Sequence, residues 1–331
     1  MAEPALHARD GFDLQSSEAV EQAFIDALAH DRLHHAWLLT GPEGIGKAAF
    51  AYRAARRLLG AAPSPADGLL ASDPQDKVSR LVATRAHPDL VVLERAEDGD
   101  RLKRNISVDE ARTLPAFFAM APSMARFRVA IIDAVDDMNN NAANALLKTL
   151  EEPPERGVLF LVSHAPGRLL PTIRSRCRRL SFRPWPDAEV AAFVRARTDL
   201  PEEDALALAK MARGAPGRAL RLAESGALQQ QAIAQALVTE PWPAHARLLE
   251  WADGFRGARG GEVFAQFLDR LADAIRDRAS GQVVAGGMKE RWADLWDSVA
   301  NGPSRAEALN LDRADMFWTL LGELKRIRAT S

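Results

Sequence analysis

Five short apolar runs in the first 185 residues constrain the fold more than any other feature of this sequence. Each run is four or five residues long, and enough chain separates it from the next run to form a helix. Strands that are buried on both faces have this continuous apolar pattern, which is typical of parallel sheets covered by helices. The runs predict a three-layer α/β domain with a five-stranded parallel sheet. They lie at residues 36–40, 90–93, 129–132, 158–162 and, more weakly, 179–182.

The rest of the chain carries only helical patterns. The strand signal ends after Pro184 and Pro186, and prolines and glycines then divide the chain into three short helical segments up to about residue 225. We therefore predict three domains: an α/β core over residues 1–186, a small helical domain over 187–225 and an all-α domain over 226–331.

Charge and cysteine content exclude several classes of protein. The 331 residues include 43 Lys+Arg and 45 Asp+Glu, a net charge of -2, so any contact with nucleic acid requires a local patch. The single cysteine, Cys177, excludes a disulfide framework and a zinc site built from cysteines. The longest apolar runs fall far short of the ~20 residues of a membrane span, and the N-terminus has no signal-peptide pattern. We expect a cytoplasmic protein with no membrane partner.

The segment directly after the first apolar run has the pattern of a phosphate-binding loop. Gly41, Gly44, Gly46 and Lys47 fit G-x-x-x-x-G-K between a predicted strand and a predicted helix. Such glycines let backbone N–H groups point at a phosphate, the helix N-terminus adds its dipole, and the lysine reaches the terminal phosphates. The alternative interpretation is an ordinary glycine-rich turn between a strand and a helix.

Two positions depart from the pattern that nucleotide hydrolysis requires. The residue after the loop lysine is Ala48, where a Ser or Thr hydroxyl would ligate Mg²⁺. Asp133 ends the third apolar run and is placed to hold Mg²⁺, but the next residue is Ala134 where a Glu would polarise the attacking water. Asp136 and Asp137 follow closely as substitutes for that Glu. The loop is therefore predicted to be able to hold a nucleotide but not to hydrolyse it.

Three later segments carry a family resemblance. They are NALLKTLEEPP at residues 144–154, LLPTIRSRC at 169–177 and GAPGRAL at 214–220. In this order, after a degenerate phosphate loop, they resemble the delta-prime family of bacterial clamp-loader subunits, which belong to the DNA polymerase III holoenzyme and to the AAA+ proteins. The resemblance covers nearly the whole chain, although the last third carries few motifs. It implies an AAA+ core, a helical lid and a C-terminal collar domain.

The resemblance also implies roles for individual residues. Arg176 matches the S-R-C motif, whose arginine reaches into the ATP site of the neighbouring subunit and acts there in trans. A forked, permanently charged guanidinium suits a γ-phosphate, although on charge alone the arginines around it form a solvated basic edge. Arg218 matches the lid arginine that senses nucleotide, with a salt bridge from lid to core as the alternative. Ser163 matches the sensor position at the end of the fourth strand. The vestigial nucleotide set comprises Gly41, Gly44, Gly46, Lys47, Asp133 and Arg218.

The family further implies a non-hydrolysing subunit that joins gamma/tau and delta in a five-membered ring within the nucleoid-associated replisome. That ring places the sliding clamp on primed DNA. No cofactor is required, and the retention of ATP or ADP stays open. No metal is expected, because residues 61–88 lack the cysteines that hold zinc in relatives.

Two other functions remain as alternatives. One is an active AAA+ ATPase of the gamma/tau type, and the other is a stand-alone DNA-binding regulator. The C-terminal domain is expected to hold the subunit in its ring through large aromatic side chains. Its tryptophans are Trp242, Trp251, Trp292, Trp296 and Trp318.

Overall fold

The chain forms two compact units, Met1–Leu220 and Arg221–Ser331, and each is described by itself. The predicted core and residues 187–220 of the predicted lid fall within the first unit, and the division into three domains stays a prediction. The computed structural model describes residues 7–11, 18–30, 32–64, 68–95, 97–98, 101–102, 105–239, 241–257, 260–280 and 286–329.

A five-stranded parallel sheet lies at the centre of the first unit, which confirms the predicted fold class. The strands are β1 Ala36–Thr40, β2 Leu90–Glu94, β3 Glu97–Asp98, β4 Arg101–Leu102, β5 Arg128–Asp133, β6 Gly157–Ser163 and β7 Arg178–Ser181. The order across the sheet is β2-β5-β6-β1-β7, while β3 and β4 form a separate antiparallel pair. Strand β1, the first in the sequence, therefore pairs with β6 and β7, the last two strands in the sequence.

The apolar runs are continuous because helices cover both faces of the sheet. Val129 and Ile131 belong to the core on one face, whereas Ala130 and Ile132 belong to the core on the other. Successive strand residues point to opposite faces, so a strand in the middle layer needs apolar residues at every position. The helices of this unit are α1 Glu18–Ala29, α2 Lys47–Leu59, α3 Lys77–Ala83, α4 Val108–Ala119, α5 Asn140–Glu151, α6 Pro171–Arg174, α7 Asp187–Arg195, α8 Glu202–Ala212 and α9 Pro216–Glu224, whose last residues enter the second unit.

Helix α2, which follows the glycine-rich loop, is held by a buried ion pair. Arg53 lies 3.3 Å from Glu21 of α1, and both side chains are excluded from solvent. A second oxygen of Glu21 accepts a hydrogen bond from the N–H of Leu70. The helix ends at Leu59, because Gly60 adopts a left-handed conformation and its N–H donates to the carbonyl of Arg56. The loop is thus joined to a rigid helix.

The second unit is all-helical. Its core contains a cluster of aromatic rings in which Phe255 and Phe317 have centroids 5.1 Å apart. Trp292 is buried in this core, whereas Trp296 is exposed. The helices are α10 Ala227–Thr239, α11 His245–Gly254, α12 Gly260–Ser280, α13 Gly286–Ala300, α14 Gly302–Ala308 and α15 Arg313–Ala329. Within the described ranges, no helix of either unit combines the length and apolarity needed to cross a membrane.

Candidate functional site

The glycine-rich loop joins β1 to α2 in the predicted place. Gly44 and Gly46 have φ values of 76° and 100°, a region that residues with a Cβ rarely adopt. A Cβ at Gly44 would also lie 2.6 Å from the backbone nitrogen of Arg218, whereas a Cβ at Gly46 would meet no atom within 4 Å. Gly44 is therefore required by its conformation and by a close approach of the backbone, and Gly46 by conformation alone.

The loop lysine is bonded to the loop itself. The Nζ of Lys47 donates to the carbonyls of Gly41 at 2.7 Å and of Pro42 at 2.6 Å, and the residue is only 3% exposed. Burial lowers the pKa of Lys47 to about 8, although Asp133 opposes the shift. In this arrangement the ammonium satisfies two carbonyls of its own loop.

The N-terminus of α9 packs directly on this loop. The N–H of Gly217 donates to the carbonyl of Gly44 at 2.8 Å, and the backbone of Arg218 lies against the same glycine. The structure therefore brings Arg218 and Gly44 together, two residues of the predicted nucleotide set. The contact is made by backbone atoms, and within the described part of the chain the half-exposed Arg218 side chain forms no ion pair.

Asp133 lies at the end of β5 in a partly desolvated place. Its partner in the β2–β5 register is Glu94. Burial, followed by the charge of Glu94, raises the pKa of Asp133 to about 6, and Lys47 opposes the shift. Ala134 follows, with only 3% of its surface exposed, so a methyl group is buried at the position that would carry the base.

Asp136 is already bonded to the segment after β6. It accepts hydrogen bonds from the Oγ of Ser163 at 2.9 Å, from the N–H of His164 at 2.5 Å and from the N–H of Ala165 at 3.3 Å. The Ser163 hydroxyl at the sensor position therefore donates to a carboxylate of its own chain. Asp136 holds a loop and has little capacity left to act as a base.

The other carboxylates near this strand end have cationic partners. Arg85 donates to both oxygens of Glu94, at 2.6 and 2.7 Å, and Asp137 forms an ion pair of 3.1 Å with Arg95. Sequence reasoning missed Glu94, although one signal was present: it ends the second apolar run as Asp133 ends the third. The carboxyl ends of neighbouring parallel strands meet at one edge of a sheet.

Arg176 lies in the turn between α6 and β7. Its guanidinium donates to the carbonyl of Thr172 at 3.0 Å and forms an ion pair of 2.9 Å with Glu151, the last residue of α5. About a third of the side chain remains exposed, and half of the Glu151 side chain. The guanidinium is held in one position while still facing solvent.

The arginines around Arg176 do not form a uniform solvated edge. Arg178 lies over the ring of Trp37, with its guanidinium carbon 4.9 Å from the centroid. The Nε of Arg179 donates to the Oγ1 of Thr40. Arg174 and Arg183 are exposed, and neither side chain forms a hydrogen bond or an ion pair within the described residues. Burial raises the pKa of Cys177 to about 12, so its thiol is protonated at neutral pH and inert.

No three His, Cys, Asp or Glu side chains are grouped to hold a metal ion among the residues that the structure describes. Three segments could contact a nucleotide: the glycine-rich loop, the end of β5 and the start of α9.

Comparison with known proteins identifies a family. Residues 16–186 match the family model described as DNA polymerase III, delta subunit. Over 200 residues, 60% of this chain and 58% of the relative, the sequence is 40% identical to the DNA polymerase III subunit delta' of Pseudomonas aeruginosa. It is 31% identical to the subunit delta' of Escherichia coli over 62% of this chain and 60% of that protein. The chain thus matches less than two thirds of the length of these relatives.

Two further similarities concern gamma-type proteins. The subunit tau/gamma of Haemophilus influenzae is 30% identical over 67% of this chain but only 30% of its own length. A gamma subunit-related protein of Thermotoga maritima has the same fold, with a TM-score of 0.50 at 19% identity, over 95% of this chain and all of that one. From the family match, the delta' relatives and the fold, we conclude that the chain belongs to the delta-prime family of DNA polymerase III clamp-loader subunits.

Proposed function

We propose that this protein is a non-hydrolysing subunit of the clamp loader that supplies Arg176 to the ATP site of a neighbouring subunit. One observation carries the first half of this proposal. Ala134 is buried after Asp133, and each of the three nearby carboxylates, those of Glu94, Asp136 and Asp137, already has a partner. None of these three carboxylates is left unpaired to replace the missing base.

The chemistry explains why this arrangement should not hydrolyse ATP. A general base typically contributes about 10²- to 10⁴-fold to a rate. The methyl group of Ala48 cannot ligate Mg²⁺, which would otherwise neutralise charge on the phosphates. Because Lys47 and the Gly44 carbonyl are bonded within the first unit, a bound nucleotide would also have to replace these bonds.

The proposed partners follow from the family. The chain would join gamma/tau and delta subunits in a five-membered ring that places the sliding clamp on primed DNA. The names of the relatives, DNA polymerase III subunits delta' and tau/gamma, support this assignment. The C-terminal unit would hold the subunit in the ring.

The geometry of Arg176 supports the second half of the proposal. A half-exposed ion pair such as Arg176–Glu151 is worth about 0–1 kcal/mol, whereas a guanidinium on a phosphate makes a stronger, charge-assisted contact. The free-energy cost would therefore be small if Arg176 left Glu151 to contact the phosphate of a neighbouring subunit. In this scheme Glu151 pairs with the guanidinium before assembly and is exchanged for the neighbour's phosphate on assembly.

A hydrolysis assay on the purified chain tests the inactive site. We expect no multiple-turnover release of phosphate from Mg²⁺-ATP by the wild type or by Lys47→Ala. Co-purification with gamma/tau and delta, followed by sizing of the complex, tests membership in the ring. Turnover that Lys47→Ala abolishes would instead favour an ATPase of the gamma/tau type. That second function draws support from the intact glycine pattern of the loop and from the tau/gamma relative.

A further inference from the structure

The residue that follows β6 lies beside the first residue of the glycine-rich loop. In the register of the parallel strands, Thr40 pairs with Ser163, so Gly41 and His164 come next at the same edge of the sheet. On its other side β6 pairs with β5, which Asp133 ends. His164 therefore lies between the loop and the end of β5, two of the segments that could contact a nucleotide.

The last residues of β6 point to opposite faces of the sheet. Val162 belongs to the core on the side of α2, and Leu161 to the core on the side of α5. Strand side chains alternate, so Ser163 continues the α5 side and His164 the α2 side, where the loop leads into its helix. The contacts agree, because Ser163 is buried and donates to Asp136, whereas the His164 side chain is exposed. The N–H of His164 also donates to Asp136 at 2.5 Å, which fixes its backbone.

Charged groups of two neighbouring elements act on the His164 imidazole. Lys47 and Glu43 come from the loop and its helix, and Asp136 and Asp137 follow β5. Partial desolvation, followed by the charge of Lys47, lowers the pKa of His164, and the three carboxylates oppose this shift. The imidazole is thus within electrostatic reach of the loop lysine, and it is mostly neutral at neutral pH while the loop holds no anion.

The phosphate site itself provides little positive charge. The Nζ of Lys47 donates to two carbonyls of its own loop, and the methyl group of Ala48 cannot ligate Mg²⁺. Beside the loop, β5 contributes the carboxyl of Asp133, and α9 contributes Arg218, which contacts the loop through its backbone. A bound triphosphate would bring further negative charge, which raises the pKa of a nearby imidazole. A proton on His164 would then supply a cation at the place that needs one.

We propose that His164 binds the terminal phosphate of a nucleoside triphosphate as an imidazolium, so that nucleotide binding at the loop takes up a proton from solvent. An imidazolium donates charge-assisted hydrogen bonds to phosphate oxygens, and its charge changes between about pH 5 and 8. The affinity for the nucleotide should therefore rise as the pH falls from about 8 to 6. The inference rests on the proposed function, because only a nucleotide that is not hydrolysed stays bound at this site.

Isothermal titration calorimetry of the full chain with ATP, at about pH 6 and about pH 8, tests the proposal. ATP, Lys47 and Asp133 also titrate near this range, so the wild type is compared with His164→Gln, which shares these groups and cannot gain the charge. The ratio of the affinities at the two pH values should be at least about fivefold larger in the wild type. His164→Lys, which has a permanent charge, should restore tight binding at pH 8.

The matched control is His30→Gln, which alters an exposed histidine at the end of α1. It should leave the ratio of affinities within about twofold of the wild-type ratio. Thermal unfolding checks that each variant folds. Calorimetry of the wild type in two buffers of different ionisation enthalpy counts the protons taken up directly, so the test stays valid if a substitution at His164 disrupts the fold.

Three results would overturn the proposal. The first is no binding of ATP by the wild type at either pH. The second is an equal ratio of affinities in the wild type and His164→Gln, or binding without proton uptake. The third is an affinity of His164→Lys at pH 8 no higher than that of His164→Gln. Release of phosphate in the same samples would instead contradict the proposed function, so the two failures are distinguishable.

Discussion

The glycine-rich loop and the Arg176 turn both carry cations suited to phosphates, but the two cations differ in what they touch. Lys47 is almost fully buried and donates to two carbonyls of its own loop. Arg176 is a third exposed, and its ion-pair partner, Glu151, is half exposed. One cation is bonded inside its own unit, and the other faces solvent.

This difference shows how a phosphate-binding motif can be retained for structural reasons. The loop keeps its glycines because their left-handed conformations and the contact with α9 require them, whether or not a nucleotide binds. Sequence identity to a phosphate-binding loop is therefore weak evidence of activity in this chain. The exposure of Arg176 has no such internal explanation, because a surface ion pair contributes little to stability.

Arg176→Ala should produce the largest effect. An arginine supplied in trans contributes about 10³- to 10⁵-fold at the site it completes. In the assembled complex, where other sites remain active, we expect partial loss of DNA- and clamp-stimulated ATPase and a larger loss of clamp loading. Assays of the reconstituted complex measure both.

Arg174→Ala is the matched control for this substitution. Arg178 and Arg179 share the local charge, but their contacts with Trp37 and Thr40 make them unsuitable as controls. Equal, salt-dependent losses in Arg174→Ala and Arg176→Ala would favour a general basic edge.

Gly44→Ala should destabilise the first unit by roughly 2–5 kcal/mol. The left-handed conformation costs an alanine about 1–2 kcal/mol, and the Cβ contact with the Arg218 backbone adds a term of about 1–3 kcal/mol for overpacking. Gly46→Ala has the conformational cost without the contact. Denaturant unfolding of both variants isolates the contribution of α9, and equal losses would contradict a tight contact between α9 and the loop.

Asp133→Asn should raise stability in a pH-dependent way. The folded pKa of Asp133 is about 6, above the unfolded value of about 3.9. The contribution of Asp133 to the free energy of unfolding is thus fully present below about pH 4, and it is lost as the pH rises through 6. The asparagine variant should match the wild type below pH 4 and exceed it by about 2–3 kcal/mol at pH 8. A constant difference between thermal midpoints from pH 4 to 8 would contradict the raised pKa.

Glu151→Gln should have the smallest effect. Loss of a half-exposed ion pair is worth about 0.2–1 kcal/mol, equivalent to a change of about fivefold or less. We expect a modest rise in the ATPase of the complex that disappears at high salt, because Arg176 is released. Glu152→Gln, also exposed, is the control. A loss as deep as that of Arg176→Ala would instead mean that Glu151 orients the guanidinium in the active complex.

The fold could be predicted from the sequence because a strand that is buried on both faces consists of a continuous run of apolar residues. Each of the four clear runs lies within its observed strand. The weak fifth run was displaced by one residue, since only Leu180 of β7 is buried and the strand lies at the edge of the sheet. At the start of α15, the carboxylate of Asp312 accepts hydrogen bonds from the N–H groups of Ala314 and Asp315, as an N-cap residue does.

The site could be predicted only in part, because its partners are distant in sequence. The pairing of Asp136 with Ser163 spans 27 residues, and Glu94 reaches Asp133 only through the strand order. Burial of the tryptophans could not be predicted from the sequence either. Trp292 and Trp296 are four residues apart on α13, yet one is core and the other exposed, and only tertiary packing decides between them.

The central position of β1 affects how this protein is made. Trp37 pairs with Phe160 and with Arg178, so the ribosome must add more than 120 residues before the strand has either neighbour. At 5–20 residues per second, this takes roughly 6–25 s. During that time an apolar strand with both edges open is exposed in the nascent chain. Slower translation would lengthen this exposure, and early termination before β6 would release fragments prone to aggregation.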